Sequence, residues 1–185
     1  MDSNRRTVIK AGVGLGASLL LPANRLHAQP AVLLQKKIPS SGELIPIIGL
    51  GTARRYEEVK TDAEKVPLRE TIAKFKELGL KVVDSSSSYG TAEAVVGELV
   101  EGLKIRESLF LATKVSLRKV VGRDPGLAII EQSFKRYRTK MIDLIAVHNL
   151  LDTQTQLATL REMKQAGRIR YVGITTSDDN QYGEF

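Results

Sequence analysis

The chain alternates short apolar blocks with stripes of apolar residues spaced three and four apart. Blocks ending near Leu50, Val83, Ala112, Val147 and Ile174 recur at intervals of 27 to 35 residues, the spacing of parallel strands joined by helices. Between them lie four helical stripes. Leu68, Ile72, Phe75 and Leu78 form the first, with Gly79 where a C′ glycine belongs. Val95, Leu99 and Leu103 form the second. Leu127, Ile130, Phe134 and Tyr137 form the third, opened by Pro125. The fourth is Leu157, Leu160 and Met163, closed by Gly167 and a basic "RIR". Ahead of the first strand, "VLLQKKIPSSGELIPIIGLGT" predicts a short hairpin.

A run of βα units fits either an open doubly wound sheet or a (β/α)8 barrel. The first strand is followed by "GLGTAR", which lacks the third glycine and the spacing of a G-x-G-x-x-G turn. A dinucleotide-binding doubly wound sheet therefore loses ground. No low-complexity linker interrupts the pattern, so residues 29–185 read as one domain.

The first 28 residues stand outside this pattern. A basic segment, the apolar "AGVGLGASLLLP" and the small-residue site "LHAQ" have the layout of a signal peptide. Its apolar run is too short for a stable membrane anchor, which needs about 20 residues. Arg5 and Arg6, followed by Val8, Ile9 and Lys10, resemble a twin-arginine signal. That implies recognition by the twin-arginine translocation machinery and a periplasmic destination. Cleavage after Ala28 leaves 157 of the 185 residues. There is no cysteine, so stability comes from an ordinary core. Of the formal charge of +7, residues 1–28 carry +3. The remaining +4 is too weak and scattered for nucleic acid.

Candidate chemistry gathers at the strand ends, where a barrel builds its active site. The last residue or two of each block give Thr52, Asp84, Lys114, His148 and Thr175, and Tyr89 follows Asp84 on the next loop. Together these types suit carbonyl reduction. A phenol is a weak acid with an ordinary pKa of about 10. Lys114 is expected to lower that value, with Asp84 holding the lysine charged and in place. Tyr89 is then the proton donor, and His148 hydrogen-bonds the carbonyl oxygen and orients the substrate. No cluster has metal-ligand spacing. Ser85 to Ser88 read as small polar loop residues, since the G-x-S-x-G of a nucleophile elbow is missing.

These residues closely resemble the aldo-keto reductase family. The blocks "IPIIGLGTAR", "VVDSSSSYGTAEAVVGE", "LFLATKV", "SFKRYRTKMIDLIAVHN" and "MKQAGRIRYVGIT" match the family's motifs in order. The resemblance implies a (β/α)8 TIM barrel that uses NADPH to reduce a small-molecule carbonyl, with the catalytic tetrad on Asp84, Tyr89, Lys114 and His148. It implies cofactor contacts from Thr52 near the nicotinamide ribose, from Asp84, and from Asn149 near the nicotinamide. Thr175 and Thr176 stand where the family usually has a serine and an asparagine that anchor the carboxamide. Altered affinity is expected there, with Ser177 sharing the task. The sequence ends at Phe185 after five strand candidates, so the expected fold is a barrel truncated after about five strands, without the family's basic phosphate-binding loop and with Ile47, Val82, Leu111 and Ile145 on an inner face that lacks opposing side chains. Three readings follow: part of an exported NADPH-dependent reductase, a non-catalytic remnant that binds small molecules or a partner chain, or an exported barrel lyase or isomerase acting on a sugar.

Overall fold

The structure, a computed structural model, describes residues 33–184. The signal-peptide reading of residues 1–28 lies outside the described residues. The chain opens with an antiparallel hairpin of β1 (Gln35–Lys37) and β2 (Leu44–Pro46), turned at Gly42. Five parallel strands follow, β3 (Leu50–Gly51), β4 (Val82–Asp84), β5 (Phe110–Val115), β6 (Ile142–His148) and β7 (Ile169–Thr175), paired in chain order. The connecting helices are α1 (Asp62–Glu77), α2 (Ala92–Leu103), α3 (Arg123–Tyr137) and α4 (Thr153–Gln165). Among the described residues no helix is long and apolar enough to cross a membrane.

The helix boundaries follow local chemistry. Thr61 and Glu64 close a capping box at the start of α1, each side chain bonding the other's backbone N–H. The helix ends with Gly79 at φ +78°, the left-handed conformation that glycine adopts without steric cost. Ile72 and Phe75 are buried, while Leu78, expected on the same stripe, is 54% exposed at the C-cap. α3 begins at Arg123, so Pro125 sits in its first turn, where a missing N–H leaves no bond unmade.

The core lies between the sheet and these helices. Val83, Leu111, Val115, Ile145 and Val147 are each at most 1% exposed and cluster with Ile72, Leu99, Ile130 and Leu160 from the helices. Leu111 and Ile145, expected on the inner face of the sheet, therefore belong to the outer, helix-covered face. Ile47, also expected inside, is 53% exposed and precedes β3. Val82 keeps its inner position, sharing the parity of Asp84 along β4.

At the opposite end of the strands, charge pairing holds the hairpin. Asp143, second in β6, is buried; it accepts from Arg106 at 2.9 Å, from Arg170 at 2.8 Å and from the Leu111 N–H at 2.8 Å. Arg170 also pairs with Glu43 of the hairpin. Tyr171 donates to Glu43 and lies 2.8 Å from the Ser41 hydroxyl. The first strands are thus latched to the beginning of β7.

Candidate active site

Parallel register decides which side chains meet. Asp84 closes β4, Lys114 is penultimate in β5, His148 closes β6 and Thr175 closes β7. Asp84 aligns with Ala112, Lys114 with Ala146 and Gly173, and His148 with Thr175. Side chains alternate between faces along a strand, and aligned residues share one. Asp84, Lys114, His148 and Thr175 therefore share the inner face, opposite Leu111 and Val147, at the C-terminal ends of the strands.

The inner polar groups are joined. Lys114 Nζ donates to both carboxylate oxygens of Asp84, at 2.9 and 2.8 Å, and to the Ser85 carbonyl at 2.6 Å. An ammonium has three protons, and all three are engaged. Asp84 remains 48% exposed while Lys114 is 11% exposed, so the carboxylate opens to the inner side and its partner is covered.

Tyr89 is placed by the loop between β4 and α2. Its N–H closes a turn onto the Ser86 carbonyl at 3.0 Å. Gly90 follows at φ +46°, so close to the 53–59 segment that a Cβ there would lie 2.2 Å from the Glu57 carbonyl oxygen. Only glycine fits, and Thr91 fastens the approach through its N–H to Glu57 and its hydroxyl to the Tyr56 carbonyl. From behind, the buried Glu93 accepts from the Thr113 hydroxyl at 2.6 Å and pairs with Arg136 at 3.1 Å, and Arg136 reaches the Ser87 carbonyl. The phenol ring stands 5.3 Å from Lys114 Nζ and 6.3 Å, edge-on, from the His148 ring.

Burial pushes the Tyr89 phenol above its ordinary value, and the negative charges of Asp84 and Glu57 push it the same way. This corrects the expectation that Lys114 lowers it. The lysine's protons are committed to Asp84 and Ser85, so none is left to hydrogen-bond the phenol oxygen. Burial lowers the His148 pKa, helped by the Lys114 charge and opposed by Asp84. The imidazole is therefore neutral at pH 7. Its Nδ1 lies 3.1 Å from the Ser116 hydroxyl and 3.3 Å from that of Ser86. Neither serine was singled out from the sequence, although each lies two residues beyond a tetrad position, Asp84 or Lys114.

The residues expected around a nicotinamide are distributed unequally. Thr52 is fully buried and its hydroxyl and N–H both donate to the Asp84 carbonyl at 3.0 Å, so it braces Asp84 and presents no free group. Asn149 is exposed at φ +54°, followed by Leu150 and Asp152 in the same left-handed region; strain of this kind concentrates at functional sites. Its amide oxygen is 3.5 Å from the Ser177 hydroxyl. Thr175 is half-buried beside His148, and Thr176 donates to Gln181. Among the described residues no group of three His, Cys, Asp or Glu could hold a metal ion.

Comparison with known proteins adds to this geometry. Residues 47–184 match the Aldo/keto reductase family. A curated relative, methylglyoxal reductase DkgB of Salmonella typhi, is 28% identical over 136 residues, covering 71% of this chain and 48% of its own length. The chain spans about half the length of the curated relatives it matches. A thermostable aldo-keto reductase solved with the inhibitor epalrestat superimposes with a TM-score of 0.69 at 27% identity, over 82% of this chain and 57% of that one. An aldo-keto reductase from Klebsiella pneumoniae solved with NADPH gives 0.66 at 24% identity, over 80% and 52%. The five-stranded sheet is accordingly an arc of the (β/α)8 barrel that these proteins share, and the chain belongs to the aldo/keto reductase family.

Proposed function

We propose that this protein reduces an aldehyde or ketone to an alcohol with NADPH, and that Asp84, Tyr89, Lys114 and His148 carry the reaction. The observation that bears most weight is their convergence: an Asp84–Lys114 pair at 2.8 Å with the Tyr89 ring 5.3 Å from the same ammonium and 6.3 Å from His148. The donor set suits the nicotinamide end of the cofactor. Asn149 offers an exposed amide with the Ser177 hydroxyl 3.5 Å away, and Thr175 offers a hydroxyl at the end of β7. Below them Ala146 and Gly173 keep the inner face low. When bound, the reduced nicotinamide supplies the hydride taken up by the carbonyl carbon.

The chain's own residues manage the oxygen. His148 donates a hydrogen bond that polarises the carbonyl and sets its orientation. Tyr89 transfers its phenolic proton to the oxygen as negative charge develops there, and the hydroxyl forms. A phenol whose pKa is raised by burial stays protonated at neutral pH until the transition state demands the proton. Lys114, held by Asp84, stabilises the phenolate left behind. Small carbonyl compounds are the first substrates to try, methylglyoxal among them, since a relative carries that activity in its name.

The test is Tyr89→Phe. Carbonyl reduction by the whole protein should fall by about 10²-fold or more, while NADPH titrated by fluorescence binds as before. Turnover within a few-fold of the parent would remove Tyr89 from the proton-donor role. We also propose that residues 1–28 direct export to the periplasm by the twin-arginine route, which carries folded proteins and so allows a cofactor to travel aboard.

A further inference from the structure

We infer that Ser116 and Ser86 are positioning residues acting through His148: their hydroxyls donate to Nδ1 and hold the ring as the Nε2–H tautomer, leaving a donor for the substrate carbonyl. This rests on the reductase reading above. Ser116 Oγ lies 3.1 Å from Nδ1, and among the described residues that is its one side-chain hydrogen bond. Ser86 Oγ, at 3.3 Å, is already an acceptor for the Ser88 N–H and lies 3.0 Å from the Ser88 hydroxyl. In this arrangement the Ser88 hydroxyl donates to Ser86 Oγ, which leaves the Ser86 proton for the imidazole. The ring's remaining freedom is restrained by its edge contact with Tyr89 at 83°.

The position of these serines follows from the strand period. Ser86 continues the parity of Asp84 and Ser116 that of Lys114, so both extend the inner face by one step and reach His148 from two neighbouring strand ends. The charged and titratable groups facing the ring are Asp84, Lys114 and Tyr89. Lys114 disfavours the imidazolium and Asp84 favours it. Among the described residues Nδ1 itself meets only neutral hydroxyls. A cavity of about 480 Å³ lined by Ser87, Ser88, Ser116 and Arg136 borders the Ser116 side of this arrangement.

Nuclear magnetic resonance of ¹⁵N-histidine in the full 185-residue chain tests this without any turnover. His27→Gln leaves His148 as the single reporter. The neutral ring should show Nδ1 unprotonated. In Ser86→Ala/Ser116→Ala the tautomers should mix, and the titration midpoint should rise by about 0.5–1 pH unit, threefold to tenfold in proton affinity, because a donor to Nδ1 competes with its protonation. Ser116→Thr, which keeps the hydroxyl, should restore the parent spectrum. A protonated Nδ1 in the parent chain overturns the inference. So does a midpoint that stays or falls in the double variant, the response of serines that accept from the imidazole. Should the double variant not fold, Ser116→Ala alone must shift the midpoint upward, and its failure to do so is equally decisive. An intact tautomer signature in a protein with no carbonyl reduction would sink the reductase reading alone.

Discussion

Lys114 shows how a single side chain can be fully committed before any substrate arrives. Its three protons go to Asp84 and the Ser85 carbonyl, so it acts on Tyr89 through its field. Lys114→Arg should therefore fail as a rescue: a planar fork can pair Asp84 bidentately but cannot also reach Ser85 in the ammonium's geometry. We expect Lys114→Met and Lys114→Arg both to lower kcat for carbonyl reduction by at least tenfold; an arginine variant at parental rate would refute this account. The pH profile gives a second measurement. Because burial and Lys114 hold the His148 pKa below its ordinary 6.5, the ring gains its proton only in more acid solution. The acid limb of kcat/KM should fall below pH 6.5, and a limb above it would contradict a neutral His148. Asp84, Lys114 and His148 were legible because strand ends deliver them. Ser86 and Ser116 were not, since a serine within a run and a single serine just past a strand both read as loop until a neighbouring strand brings an imidazole to them. The raised pKa of Tyr89 was equally hidden, because spacing does not reveal how many of a lysine's protons are already engaged.

Among the elements, α2 and α3 meet backbone to backbone at Gly97. A Cβ on Gly97 would lie 2.1 Å from the Arg136 carbonyl oxygen and 2.7 Å from the Tyr137 Cα, backbone that cannot step aside. Gly97→Ala should destabilise the fold by about 1–3 kcal/mol or more, read as a lower urea midpoint. It should also slacken the Glu93–Arg136 brace behind the serine loop. At the start of α1, Thr61→Ala removes a capping box and should cost about 0.5–2 kcal/mol; an unchanged midpoint would mean that the cap contributes nothing. All four helices were legible from their apolar stripes, because each buries one face on the sheet. β5 was legible only in part. It runs to Val115, three residues beyond Ala112, paired with β6 throughout, and the polar Thr113 and Lys114 hide that extension from the apolar pattern. On a strand that carries chemistry, the apolar pattern stops where function begins.

For the whole molecule, the proposed export signal and the barrel pose separate questions. Replacing Arg5 and Arg6 by lysine should retain the protein in the cytoplasm with its signal uncleaved; a processed periplasmic form of that variant would point to the general secretory route. The parallel sheet itself was legible from the spacing of strand candidates. The hairpin's attachment was not, since nothing in "SGEL" announces a partner about 130 residues away. The Tyr171 hydrogen bond, followed by the Arg170 charge, holds the Glu43 carboxyl below the usual carboxylate range. A carboxylate of lowered pKa stabilises above its ordinary value and loses that contribution as the pH falls below it. The latch should therefore weaken below about pH 4.5, and Glu43→Gln should flatten that part of the stability curve. The latch also imposes an order on events. Ser41 and Tyr171 are 130 residues apart, so a ribosome adding about 5–20 residues per second emits the hairpin on the order of 10 s before its anchor exists. The hairpin is then a late-closing clasp on a nascent chain, and Glu43→Gln should speed unfolding while hardly changing the folding rate.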